Sequence, residues 1–293
     1  MSLPQKVEPG MLAFGTRRCV EGMFSLKPIA AVNAIVWYAF AFAVITHEVT
    51  PHALVAMSNH LHWLVTDVRG NLPEFKRDFH RMVAAAVKKL WGLEETVFAD
   101  TNCRHVEVLG LRGAIKQALY CVLNPVRAHL VEKAMQWPGA LWRPGMREVT
   151  VKKPAVWFTG AHWPEQITIR FEPPAAWTES EDAWHERLGE MLSEEEATLA
   201  RERLRTGRPV LGAQRVKQQH HRSRPRTKLD KGGLDPAFAT GGDHELEKKA
   251  KRELKAWRRA YKDALERWKA DKAAEFPRGS YWVVVHHGAA IAA

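Results

Sequence analysis

The sequence predicts an α+β fold in two regions: strands and helices over 1–145, and a basic, mostly helical region over 146–293. Three observations carry that expectation. First, Met57-Ser58-Asn59-His60-Leu61-His62-Trp63-Leu64-Val65 alternates like a strand and follows the apolar run Ala53 to Met57 across a Ser58-Asn59 turn, the pattern of a β-hairpin. Second, apolar helical segments flank that hairpin, over Ala30 to His47 and Leu72 to Leu90. Third, the net charge of +11 is unevenly placed: Arg201 to Arg278 holds 23 Lys/Arg against 11 Asp/Glu, and the rest of the chain holds 21 against 22.

At 293 residues and 46% hydrophobic content the chain can build one good core and a second region. Met1 to Gly10 is polar and proline-containing, so no signal peptide is expected. The longest apolar run, Ala30 to Ile45, is interrupted by Asn33. It reads as too short to span a bilayer and so as a buried helix, with no membrane partner. Cys19, Cys103 and Cys121 have no CxxC spacing, which argues against a disulfide framework or a zinc ribbon and for a reducing compartment. A basic excess confined to one region suits a polyanion, or else a solvated, weakly ordered tail.

Taken in order, Met11 to Phe24 reads as a first strand ending near Gly22, where Arg17 and Arg18 are either phosphate contacts or an exposed strand end. The apolar helix and the hairpin follow, and Asp67 to Asn71 closes the hairpin as a turn. Leu72-Pro73-Glu74 opens the next helix, with proline in the first turn where its missing N–H costs little. Its apolar stripe is Phe75, Phe79, Met82, Val83, Ala86 and Leu90; Lys76, Arg77, His80, Arg81, Lys88 and Lys89 lie on or beside the other face. Cys103 to Leu109 alternates as a further strand.

Gly110 to Leu123 forms a helix with Leu111, Ile115, Ala118 and Val122 on one side. Gly113, Lys116, Gln117, Tyr120 and Asn124 group on the other. Tyr120 and Asn124, four residues apart, project over one patch. Asn124-Pro125 is expected to end the helix, because the residue before proline disfavours the α region.

Trp137 to Pro144 is turn-rich and marks the end of the first region. Thr150 to Pro174 reads as short strands and loops with exposed-looking tryptophans. Glu179 to Arg205 is a charged helix with acidic residues early, broken by Thr206-Gly207-Arg208-Pro209. Arg208 lies in a Gly-Arg-Pro that is either a minor-groove hook or a plain loop. Arg215 to Asp243 is basic and poor in apolar residues, so a mobile connection is expected. His244 to Glu275 is a long basic helix with a packing stripe of Leu246, Ala250, Leu254, Trp257, Tyr261, Leu265 and Trp268. Tyr281 to His287 reads as a strand or an ordered tail.

Alternation puts His60 and His62 on one face of a stiff strand, with Leu61 and Trp63 on the other. Two such imidazoles are either two corners of a metal site or two half-exposed histidines.

Together these features resemble the HUH endonuclease superfamily with a single nucleophilic tyrosine. More narrowly they resemble the REP-associated tyrosine transposases and related single-strand DNA transposases. Met57-Ser58-Asn59-His60-Leu61-His62 is similar to the family's Met-Pro/Ser-Asn-His-hydrophobic-His, and Tyr120-Cys121-Val122-Leu123-Asn124-Pro125-Val126-Arg127-Ala128 to its Tyr-x3-Asn-Pro-Val-Arg-Ala block. Thr16-Arg17-Arg18 and Gly207-Arg208-Pro209 are similar less specifically. The resemblance covers roughly residues 10 to 143. His129 stands where relatives often have glycine.

The resemblance implies an antiparallel, ferredoxin-like or palm-type sheet with helices packed on it. It implies Tyr120 as nucleophile, His60, His62 and Asn124 as ligands of Mg²⁺ or Mn²⁺, and single-stranded DNA with a hairpin (REP or palindromic) element as substrate. The reaction would leave a 5′-phosphotyrosine and a free 3′-hydroxyl. Arg17, Arg18, Lys116, Arg127 and Arg208 are the candidate DNA contacts; Arg127 is otherwise a cap on the last helical carbonyls. A cytoplasmic, nucleoid-associated bacterial location and a monomer or homodimer go with it. The alternative is a DNA-hairpin binding protein or repressor that no longer cuts. A relaxase usually has a third metal histidine and often a helicase-like domain, and no P-loop motif is present.

Overall fold

The computed structural model describes residues 4–99, 103, 105–225, 237–271 and 274–292. The α+β expectation holds. Strands β1 (Met11–Arg18), β2 (Thr50–Met57), β3 (His60–Asp67), β4 (His105–Val108) and β7 (Phe238–Ala239) form one sheet in the order β2-β3-β1-β4-β7. The first three pairings are antiparallel, but β7 joins β4 in parallel, so the sheet is mixed rather than purely antiparallel. The strand read from Met11 stops at Arg18, and a 3₁₀ turn at Val20–Gly22 follows.

The strand period sorts side chains onto two faces. Ala13, Gly15 and Arg17 of β1 share a face with Leu61, Trp63 and Val65 of β3; Phe14, Thr16 and Arg18 share the other with His60, His62 and Leu64. The first face is covered by α1 (Ala30–His47) and α2 (Leu72–Trp91). Trp63 is wholly buried there against Phe75, and its Nε1 donates to His80 Nε2 at 3.4 Å. Its ring fills the place a side chain at Gly15 would take: a Cβ there would lie 2.0 Å from Trp63 Cζ2.

Helix α1 corrects one expectation. At 18 residues it is, by length and composition, long and apolar enough to cross a membrane, because the helix runs two residues past Ile45. Its apolarity on all sides has a packing explanation. One side meets α2 and β2, and the other is covered by the hairpin of β5 (Glu148–Lys152) and β6 (Gln166–Arg170). Tyr38 Oη donates to Pro164 O at 2.6 Å, and Phe42 packs on Trp163. Trp163 is buried and Trp157 half-buried, so the tryptophans that read as exposed are core residues.

Helix α2 keeps its apolar stripe, but Lys76 and His80 are buried with it. Lys76 Nζ donates to Cys103 O (3.1 Å) and contacts His105 Nδ1 (3.1 Å), which satisfies the ammonium inside. The fully buried Asp67 ends β3 and caps α2: it accepts from the backbone N–H of Gly70, Asn71 and Leu72 at 2.8–3.0 Å.

Helix α3 (Gly110–Arg127) lies across the second face over β2 and β3, with α4 (Glu181–Thr206) behind it. Burial on two sides changes its polar face. Gly113 is buried because Ala239 O approaches to 2.4 Å of where a Cβ would stand, Asn124 is buried, and Leu111 is exposed. The helix does not stop at Asn124; it carries Pro125 within its last turn, where packing of buried Pro125 and Val126 outweighs the proline penalty. A Schellman motif ends it: Leu130 N donates to Pro125 O and His129 N to Val126 O, both at 3.0 Å. His129 occupies the position that needs φ > 0 and has φ 54°. The left-handed region costs a residue with a Cβ about 1–2 kcal/mol, partly offset by the entropy glycine adds to the unfolded chain. His129→Gly is therefore expected to raise the unfolding free energy by about 0.5–1 kcal/mol in urea titration.

The core continues past residue 145. Ala140 O accepts from Ala56 N, and Trp142 N donates to Leu54 O, so the turn-rich stretch docks on the free edge of β2. Val151, Ile167, Trp184 and Val216 belong to the same apolar cluster as the sheet. Ser180 caps α4 by accepting from Ala183 N, and Gly207 ends it. The stretch read as a mobile connection is packed where it is described: α5 (Ala213–Gln218) buries Val216, and β7 pairs with β4. Residues 226–236 of that stretch lie outside the described residues.

Helix α6 (His244–Asp271) uses its stripe for packing, with Ala250, Trp257 and Ala264 buried. Trp257 Nε1 donates to Arg278 O at 2.7 Å. Tyr281–His287 is a short helix, α7, rather than a strand; burying Val283 beside Phe276 and Ala264 overrides the β preference of its valines. The short strands β8 (Glu275–Phe276) and β9 (Ala290–Ile291) pair beside it.

Candidate active site

The second sheet face brings the two sequence motifs together. His60 and His62 lie on β3, one residue beyond the Ser58-Asn59 turn, with ring centroids 4.7 Å apart. The β1 register sets Arg18 opposite His60 and Thr16 opposite His62. Helix α3 crosses above and lowers Tyr120 onto His62, edge to face, at 5.1 Å between centroids. Phe14 stacks on His62 at 5.3 Å and meets Tyr120 edge-on at 5.7 Å. One turn after Tyr120, Asn124 is buried beside His60, close enough to oppose the fall of its pKa. Tyr120 itself is 36% exposed, so its phenol is reachable from solvent.

The two imidazoles are held neutral. Burial, then the Arg18 charge, pushes His60 down to about 4, against a smaller opposing effect of the Asn124 side chain. Burial, then His60 and Arg18, holds His62 well below the ordinary histidine value. Their orientation is fixed from behind. Asn59 Oδ1, an acceptor, lies 2.7 Å from His60 Nδ1, which places the proton on Nδ1 and leaves the Nε2 lone pair available. Thr16 Oγ1 is 2.8 Å from His62 Nδ1. His62 Nε2 is buried without a hydrogen-bond partner. Two neutral imidazoles presenting Nε2, beside a buried amide, fit a divalent cation. Among the described residues no three His, Cys, Asp or Glu gather as a metal site.

The candidate cations separate. Arg18 is exposed and borders His60. Arg17 points through the sheet to the α2 side, its guanidinium 5.5 Å from the Phe98 ring centroid, so strand alternation removes it from this face. Arg127 lies 6.0 Å over the Tyr120 ring and donates to Glu195 of α4 at 3.3 Å. Lys116 is exposed one turn before Tyr120, beside Gly242. Arg208 is exposed just after α4, in a segment whose Leu211 N bonds His129 O beyond the end of α3. The sequence marks Thr16 only within the Thr16-Arg17-Arg18 resemblance, and does not mark Phe14 or Glu195. Thr16 and Phe14 become visible once the β1–β3 register is known, and nothing local marks Glu195.

Several buried imidazoles tie stability to pH. His52 is pushed down to about 4 and His105 to about 3, both chiefly by burial, alongside His60 at about 4. With folded values below the unfolded ~6.5, the unfolded chain binds more protons as pH falls. Their stabilising contribution is complete above about pH 6.5 and is lost towards pH 4–3. Urea midpoints measured from pH 7.5 to 4 are expected to fall progressively below pH 6.5.

No protein-family profile matches the chain, and no curated protein matches it. Among solved structures, that of a REP-associated tyrosine transposase bound to a REP hairpin aligns over 47% of this chain and 81% of that one, at 13% identity and a TM-score of 0.40. The likeness is distant.

Proposed function

We propose that this chain is a metal-assisted tyrosine DNA endonuclease and strand transferase acting on single-stranded DNA beside a hairpin. The observation that carries the reading is the convergence of two motifs some sixty residues apart in sequence: Tyr120 stands against His62 at 5.1 Å between ring centroids, with Asn124 buried beside His60. That is the pairing the sequence resemblance calls for, on a phenol that solvent can reach.

Tyr120 Oη attacks the scissile phosphorus, and the bond from phosphorus to the 3′ oxygen breaks. The phenol gives up its proton and the departing 3′ oxygen takes one up, leaving a 5′-phosphotyrosine and a free 3′-hydroxyl. The phosphodiester energy is retained, so a 3′-hydroxyl can reverse the step and join strands, which suits transposition. His60, His62 and Asn124 would hold Mg²⁺ or Mn²⁺, which when bound supplies a Lewis acid for the scissile phosphate. An imidazole pair alone favours zinc; a phosphate ligand and open positions admit the harder ions. Phe14 and Thr16 keep the His62 ring in place, and Arg18 adds positive charge where phosphate enters. The region 146–293 would hold the hairpin, an accessory role that its basic balance supports.

The test incubates labelled hairpin DNA with a single-stranded flank, taken from beside the gene, with the protein and Mg²⁺ or Mn²⁺. A denaturant-resistant protein–DNA adduct, lost on chelation, is the expected result. Salt-sensitive hairpin binding with no adduct under any divalent metal would establish instead the silent binding protein or repressor.

A further inference from the structure

We propose that the strap from Arg208 to Arg224 grips the phosphates of the single DNA strand that leads to Tyr120. The inference rests on the strand-transfer reading and names the surface that feeds its site.

The strap is fastened just beyond the tyrosine helix at one end and, at the other, to the segment that bonds the histidine hairpin. At its start, Leu211 N and Gly212 N donate to His129 O and Leu130 O at 2.9 Å, directly after the tyrosine helix. At its far end Ser223 O accepts from Phe24 N at 2.9 Å, and His221 stacks on Trp91 with centroids 4.6 Å apart and planes 5° from parallel. Trp91 Nε1 in turn donates to Ser25 O. The segment it meets is bonded to the histidine hairpin: Cys19 N donates to Asn59 O at 2.8 Å and Leu26 N to Ser58 O at 2.9 Å. Between the two anchors Val216 is fully buried. The strap thus runs along the molecule from the end of α3 to the segment that is bonded to the turn before His60.

Its charge is of one sign. From 208 to 224 it holds Arg208, Arg215, Lys217, Arg222 and Arg224, with His220 and His221, and no Asp or Glu. Arg208 and Arg215 are exposed and Lys217 is half-buried. Arg222 and Arg224 pair with Glu95 and Glu21 of the body, exposed contacts that pin the strap and that a phosphate can compete with. A fixed row of cations with no acid of its own, two of them in exposed pairs that a phosphate can displace, recognises a polyanion. Because one anchor directly follows the tyrosine helix and the other meets the segment bonded to the Ser58-Asn59 turn, the polyanion placed there is the strand continuous with the scissile phosphate, rather than a remote duplex.

The experiment measures fluorescence anisotropy of a hairpin with a single-stranded tail and of the same hairpin blunt, over a salt series. It compares the full chain with Arg215→Gln/Lys217→Gln, which keeps side-chain length and leaves Val216 in place. The variant is expected to bind the tailed hairpin about tenfold more weakly at low salt. Its log–log salt slope should be shallower by about 1.4, since each single-strand phosphate contact contributes about 0.7. The blunt hairpin should be unaffected. Unchanged affinity and slope on tailed DNA would overturn the strap assignment while leaving the strand-transfer reading standing, as would equal losses on both DNAs. If the parent chain binds neither DNA, the strand-transfer reading fails and the strap proposal with it.

Discussion

Tyr120→Phe is expected to abolish covalent capture of DNA while leaving fold and DNA affinity in place. Phenylalanine keeps the ring that meets Phe14 and His62 edge-on, and the ring that Arg127 overlies. What it removes is one oxygen on a residue 36% exposed, so the stability change should stay within about 0.5 kcal/mol. A nucleophile has no substitute in a covalent mechanism, and its loss should lower the adduct yield by roughly 10³-fold or more. Gel analysis of the denatured reaction reads the adduct, and anisotropy reads binding in the same preparations. An adduct that survives the change would move the nucleophile elsewhere and remove Tyr120 from the proposed chemistry. Loss of binding together with the adduct would make Tyr120 a DNA contact.

Gly15→Ala is expected to be the most damaging single-methyl change in the sheet. Its added Cβ would fall 2.0 Å from Trp63 Cζ2 and 2.2 Å from Cε2, well inside contact distance. The indole cannot swing away, because it is wholly buried, packed on Phe75 and tied through Nε1 to His80. The strands cannot part either, since Gly15 pairs with Trp63 on one side and with His105 on the other. Overpacking of a rigid core costs about 1–3 kcal/mol and occasionally more, and this site belongs at the upper end. A fall in the thermal midpoint of about 5 °C follows for a cost near 3 kcal/mol in a chain of this size. Calorimetry or a circular dichroism melt checks it. A melt within 2 °C of the parent would mean that β1 shifts to admit the methyl. Because β1 also carries Phe14 and Thr16 behind His62, the same variant should lose DNA cleavage in proportion to its unfolding.

The sequence alone determined the parts that depend on short-range pattern. Alternation and the Ser58-Asn59 turn define the hairpin, and with it the common face of His60 and His62. Helical period places Tyr120 and Asn124 over one patch, and the Pro73 and Gly207 signals mark a helix start and a helix end where they occur. Tertiary structure decided whatever depends on which surfaces meet. Burial of α3 between the sheet and α4 took Asn124 inside and carried the helix through Pro125, against the local preference before proline. Packing made a helix of Tyr281–His287, buried Lys76 and His80 on a face that reads as polar, and sent Arg17 to the far side of the sheet from Arg18. Thr16 entered the site only through strand register, and Glu195 only through the docking of α4 on α3. Local pattern is set by dihedral preference and side-chain period, which the chain carries in itself. Register and docking are set by the competition among buried surfaces, which only the assembled fold resolves.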